Sequence, residues 1–167
     1  IYTNVIYGIR TSLIIGVFSV LIALIIGVVV GVLAGYYSGK VEDILMRLTD
    51  ITFILPQFLL ALVLVSIFGQ NFQNIILAIG VVSWPGIARM LRAEFLSVKE
   101  RPFIEAARAL GLSDIRIIFD EILPNAIPAI IPYVVLQVNT AILIEAGLGF
   151  LGVGLSLIHI SEPTRQA

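Results

Sequence analysis

The chain has 167 residues, 59% of them hydrophobic and only 13% charged, with a formal net charge of −1 and a mean hydropathy of +1.10. Soluble domains carry about a quarter charged residues, so this composition points to a membrane protein and excludes a strongly basic nucleic-acid binder. There is no cysteine, hence no disulfide framework, thiolate metal site or cysteine nucleophile.

The opening residues IYTNVIYGIR lack the basic start, initiator Met and small-residue cleavage site of a signal peptide, and the sequence reads as a fragment at its front end. Four apolar segments follow. Residues 11–34 are free of charge and predict a spanning helix, which needs about 20 apolar residues. Along it Ala23, Gly27, Gly31 and Gly35 recur every four residues, lining one helix face with small side chains on which another backbone can pack closely. Such a seam serves either as a static helix contact or as a sliding surface. The stretch GYYSGKV that follows is superficially like a phosphate-binding loop. That loop needs four residues between its glycines and Ser or Thr after the Lys, whereas three residues and Val41 stand here.

Residues 44–68 predict the second span, with Gln57 inside it, and a short polar link at 69–74 leads to a third span at 75–91. This third span contains Trp84-Pro85-Gly86, and the fourth, 126–144, contains Pro128 and Pro132. Both are expected to kink, because proline deletes a donor and crowds the preceding turn. Gln137, Asn139 and Glu145 lie in or near the last span. Together with Gln57 they are read either as part of a translocation pathway or as interhelical hydrogen-bonding groups, with Glu145 alternatively placed at the outer surface.

Between the third and fourth spans lies a polar stretch, 92–125. Pro102 suits a first helical turn, Phe103, Ala106, Ala107 and Leu110 fall at i, i+3, i+4 and i+7, and Gly111 supplies a left-handed end. Ser113 or Asp114 then caps a second helix with Ile115, Ile118 and Ile122 on its apolar side and Arg116 and Asp120 at i, i+4, which Leu123-Pro124-Asn125 is expected to terminate. The stretch is thus an ordered helical hairpin. Two alanines beside mixed charges (Glu105, Arg108) suit a groove on another protein better than a lipid surface, where Lys-rich helices with bulky apolar faces prevail.

Leaving the last twelve residues aside, eight of nine basic side chains fall in or beside the connections 35–50 and 92–125, and none in 69–74. The positive-inside rule places those two connections in the cytoplasm. Residues 155–165, LSLIHISEPTR, resemble a translated sequencing adapter. We therefore expect 155–167 to be a non-native tail and assign no role to His159.

Glu105-Ala106-Ala107, three residues, Gly111, and eleven residues to Leu123-Pro124 resemble the cytoplasmic EAA loop of bacterial ABC-importer permeases. With LAGYYSGKVEDILMRLTDITFILPQFLLALVLVSIFG, ILPN and GLGFLGVG around it, residues 1–154 are similar to the second permease subunit of the dipeptide, oligopeptide and nickel branch. One departure is Glu121, where the branch often has a basic or polar residue.

The resemblance implies an all-α, polytopic transmembrane bundle, of which this chain would hold about four helices of six, in a bacterial or archaeal plasma membrane. It implies Phe103, Glu105, Ala106, Ala107, Arg108, Gly111, Leu123 and Pro124 as the ATPase-coupling residues. The partners would be cytoplasmic ABC ATPases carrying ATP and Mg, a second homologous permease, an external solute-binding protein and lipid. No cofactor or metal on this chain, no nucleic acid and no catalytic residue is expected, and the substrate is left open among peptides, nickel and similar small solutes. The alternative is a membrane scaffold or channel whose hairpin docks another protein.

Overall fold

A computed structural model of the chain describes residues 1–154. In chain order it contains α1 (Tyr2–Tyr36), α2 (Lys40–Ile54), α3 (Gln57–Phe68), α4 (Phe72–Lys99), α5 (Pro102–Ala109), α6 (Asp114–Arg116), a π-helical segment (Ile117–Ile122) and α7 (Leu123–Phe150). There is no strand among the described residues. In hydrocarbon a segment must satisfy its own backbone donors and acceptors, and a helix does so within itself. Among the described residues, three helices are long and apolar enough to cross a membrane: α1, α4 and the continuous helix Asp114–Phe150. The pair α2 and α3 makes a fourth only when counted as one broken span.

The elements depart from the expected spans in instructive ways. At 35 residues, α1 rises about 52 Å, well beyond the roughly 30 Å hydrocarbon core, so it extends past 11–34 at both ends. Instead of one helix over 44–68, the chain breaks at Leu55-Pro56 and α3 leaves α2 at 84°. Pro56 has no N–H, disfavours helical geometry at the preceding residue, and is itself extended, with φ −56° and ψ 129°. The third and fourth segments are the middles of longer helices, and Pro85, Pro128 and Pro132 lie inside them without interrupting them.

The expected stop at Leu123-Pro124-Asn125 does not occur. The helix instead widens over Ile117–Ile122, with the Leu123 N–H reaching back five residues to the Ile118 carbonyl. This wider turn makes room ahead of Pro124, whose ring would otherwise press on the carbonyl four residues earlier. The Asn125 side chain donates to the Glu121 carbonyl at 2.6 Å. The π segment also rotates the i, i+4 register, and no ion pair forms between Arg116 and Asp120.

Contacts divide the chain into two compact units. One comprises Ile1–Ala23, Leu55–Ser83 and the described part of Leu136–Ala167; Ile15, Val65, Ile75, Ile79 and Leu148 are fully buried in it. The other comprises Leu24–Ile54 and Trp84–Val135 and holds the loop that carries the candidate site. The tail expected at 155–167, including His159, lies outside the described residues.

Candidate coupling surface

Backbone chemistry sets both ends of α5. Arg101 is extended and Pro102 occupies the first helical position, where its missing N–H costs no bond. At the other end the Gly111 N–H donates to the Arg108 carbonyl at 3.0 Å and the Leu112 N–H to the Ala107 carbonyl at 3.2 Å. Gly111 sits at φ +80°, the left-handed residue this closing motif requires. Ser113 holds the expected capping position of the next helix, but its side chain makes no capping bond. Asp114 is occupied elsewhere, accepting a 2.6 Å hydrogen bond from the Tyr36 hydroxyl at the end of α1.

One apolar cluster anchors α5 from beneath. Ile104 and Ala107 pack with Tyr36 of α1, Leu91, Phe95 and Val98 of α4, Ile117, Ile118 and Ile122 of the π segment, and Ala126 and Ile130 of α7. Polar contacts reinforce this base. Lys99 Nζ donates to the Tyr36 carbonyl and to Ser38 Oγ, both at 3.0 Å, while Arg92 pairs with Glu42 and Arg89 with Asp50. The Arg89 guanidinium also lies 4.3 Å from the centre of the Phe53 ring. Within this unit, α5 therefore shares a base with α1, α4 and the start of α7.

The inward and outward faces of α5 differ from the stripe read in the sequence. Ala107 is only 5% exposed and turns inward with Ile104, which the sequence reading left out. Phe103, Glu105, Ala106, Arg108 and Leu110 face outward, with Leu110 82% exposed. Ala107 is thus a support for the helix rather than a contact on its outer face. Leu123 is half-buried and Pro124 exposed, both inside the long helix rather than at its end. Ile115 and Phe119, one turn apart, are also exposed. Ile117, not Ile115, joins Ile118 and Ile122 in the cluster. The i, i+4 spacing of Ile115 and Phe119 was the available signal for a second outward apolar patch.

The small residues of α1 take up the α4 backbone. A Cβ on Gly27, Gly31 or Gly35 would lie 3.1, 2.8 and 3.2 Å from the carbonyl oxygens of Trp84, Ala88 and Arg92 respectively. The two helices therefore run parallel here, in register at a four-residue step, which is the close approach that small residues permit. Ala23 is fully buried.

The four polar residues expected in or near the apolar spans do not share one environment. Gln137 and Glu145, two turns apart on α7, are buried, Asn139 is exposed, and Gln57 is half-buried at the start of α3. Glu145 is 8% exposed and accepts a 2.9 Å hydrogen bond from the Ser12 hydroxyl of α1. Its carboxylate is thus held between two helices of its unit. No group of three or more metal-ligating side chains occurs among the described residues.

The sequence matches the family described as "Binding-protein-dependent transport system inner membrane component" over residues 27–164. It is 44% identical over 154 residues to a dipeptide transport system permease protein of Alkalihalophilus pseudofirmus, covering 92% of this chain and 51% of that protein. Glutathione transport system permease proteins of Pectobacterium atrosepticum and Escherichia coli O157:H7 are 38% and 40% identical, with the same coverage. The chain thus spans about half the length of these relatives. Among solved structures, a chain of the MetNI methionine ABC transporter in inward-facing conformations superposes with a TM-score of 0.78 at 23% identity, covering 89% of this chain and 74% of that one. The fold is that of an ABC transporter permease, and the chain belongs to the family of binding-protein-dependent transport system inner membrane components.

Proposed function

We propose that the chain acts within a permease subunit of an ATP-driven importer of peptides or similar small solutes, and that α5 is the handle by which a cytoplasmic ATPase moves it. The observation that carries this reading is the two-sidedness of α5. Phe103, Ala106 and Leu110 face outward, while Ile104 and Ala107 are held in a cluster continuous with α1, α4 and α7. A force on the outer face is passed to that cluster without first melting the helix, because close-packed interiors transmit displacement instead of absorbing it.

In this scheme the ATPase pair binds ATP and Mg, a homologous permease completes the membrane part, and an external solute-binding protein delivers the solute. The concentration of Lys and Arg at Lys40, Arg47 and in 89–116 supports a cytoplasmic loop in a plasma membrane. The identities of the relatives support a small peptide as cargo.

The direct test is disulfide cross-linking in the assembled transporter from a cysteine at Ala106, which faces outward, to a groove cysteine on the ATPase. ATP-dependent yield is expected from Ala106→Cys and little from Ala107→Cys. Equal, nucleotide-independent yields from both would refute docking through this face. Gly111 offers a second test. No atom crowds its open side, so replacement acts through the backbone, where a left-handed L-residue costs about 1–2 kcal/mol. Gly111→Val is expected to lower uptake and transport-coupled ATP hydrolysis in proteoliposomes by roughly tenfold, and Gly111→Asn by much less, since Asn tolerates that conformation. Unimpaired transport by the valine variant would remove Gly111 from the coupling mechanism.

A further inference from the structure

Tyr36, the last residue of α1, is a point on which several elements converge. Its ring is buried in the cluster beneath α5. Its hydroxyl donates to Asp114 Oδ1 at the start of α6 at 2.6 Å, the short distance typical of a hydrogen bond to a carboxylate. The Arg108 guanidinium of α5 reaches the same hydroxyl, offering it a hydrogen bond and a positive charge. From the end of α4, Lys99 donates to the Tyr36 carbonyl at 3.0 Å and stands 5.8 Å from the centre of the ring.

The Asp114 contact is made against a local preference. Ser113 holds the capping position of α6, yet its side chain makes no capping bond, the bond that ordinarily steadies a helix start. Its neighbour Asp114, equally able to bond locally, is turned to a residue 78 positions away in the chain. Local rules given up for a distant contact are a mark of functional positions. The two kinds of contact at Tyr36 also act differently. Apolar burial holds the ring without fixing a direction, whereas a hydrogen bond weakens steeply when it is bent or stretched. With the ring held by the cluster, the hydroxyl is a donor fixed in advance, and the bond has only the exposed Asp114 side chain to order. A displacement of the turn after α5 therefore bears on the final turn of α1, and Lys99 carries the same pull to α4.

We infer that Tyr36 and Asp114 are positioning residues for the ATP-driven movement, joining the end of α1 to the turn that follows α5, an inference that rests on the permease reading above. The test is hydrogen exchange on the complete transporter in proteoliposomes, with and without ATP, followed at 33–38 and at 102–116. In the parent, both segments are expected to change with ATP. Tyr36→Phe keeps the ring in the cluster and removes only the hydroxyl. There the change at 33–38 is expected to shrink about tenfold, the factor carried by a hydrogen bond to a charged acceptor, while that at 102–116 persists. Asp114→Ala should act likewise, and Asp114→Asn, which keeps an acceptor oxygen, should retain the response. The double variant of Tyr36→Phe with Asp114→Ala should match the single ones, because each removes the same bond. A Tyr36→Phe transporter whose α1 end still follows ATP overturns the inference. So does exchange that rises equally with and without ATP, as a merely structural bond would produce. If the parent loop at 102–116 ignores ATP, the permease reading itself fails and takes this inference with it.

Discussion

Replacing Ile104 by aspartate should abolish ATP-driven uptake while leaving the chain inserted in the membrane. Ile104 is fully buried in the cluster under α5. An unpaired carboxylate there costs several kcal/mol, more than a short helix docked through two buried side chains can absorb. The helix should leave its base instead of the bundle unfolding, because the spanning segments stay in lipid whatever this cluster does. Hydrogen exchange over 102–112 should rise to the level of an undocked loop, and uptake should fall below a tenth of the parent value. Phe103→Asp gives the contrasting outcome: its site is exposed, so exchange should stay near the parent level while the ATPase dissociates. If Ile104→Asp transports normally, force does not pass through the cluster.

The same two residues show where sequence reading succeeds and where it stops. Pro102 and Gly111 were legible as the ends of α5 because each acts through its own backbone, independently of the rest of the fold. Which side of α5 turns inward was not, since Ile104 and Ala107 compete with Phe103, Ala106 and Leu110 at equivalent helical spacings. Periodicity marks apolar faces without saying whether self or partner covers them. Leu123-Pro124-Asn125 carried a strong local stop signal, and a π-helical turn just before it outweighed that signal. At Leu55-Pro56 the break was marked by the proline but masked by the uninterrupted apolar run around it. Nothing local to Glu145 announces Ser12, which lies 133 residues away along the chain.

Gly31→Leu should be the most damaging substitution outside the loop. A Cβ at Gly31 already falls 2.8 Å from the Ala88 carbonyl oxygen, 3.0 Å from Leu91 Cβ and 3.3 Å from Ala88 Cα. Two of these are backbone atoms of a neighbouring helix and cannot swing aside as a side chain end would, so relief requires α1 and α4 to separate along the whole seam. Within a bilayer no hydrophobic gain draws them back together, since lipid solvates the parted faces as well as they solvate each other. Overpacking of this kind costs about 1–3 kcal/mol in ordinary cores; here it also removes the close contacts at Gly27 and Gly35. The expected result is a large fall in thermal stability in detergent and loss of the monodisperse species, with Gly31→Ala intermediate. Gly8→Leu, at a site where a Cβ meets nothing within 4 Å, should match the parent. The interlock also bears on whether the seam slides. Carbonyls set against glycines at a four-residue step hold one register, and the next equivalent one lies a full turn away. If α1 moves during transport it should therefore travel with α4. A cysteine pair joining these helices near Gly31 and Ala88 should accordingly leave uptake unchanged when oxidised, and uptake blocked by oxidation and restored by reduction would show that the two helices slide.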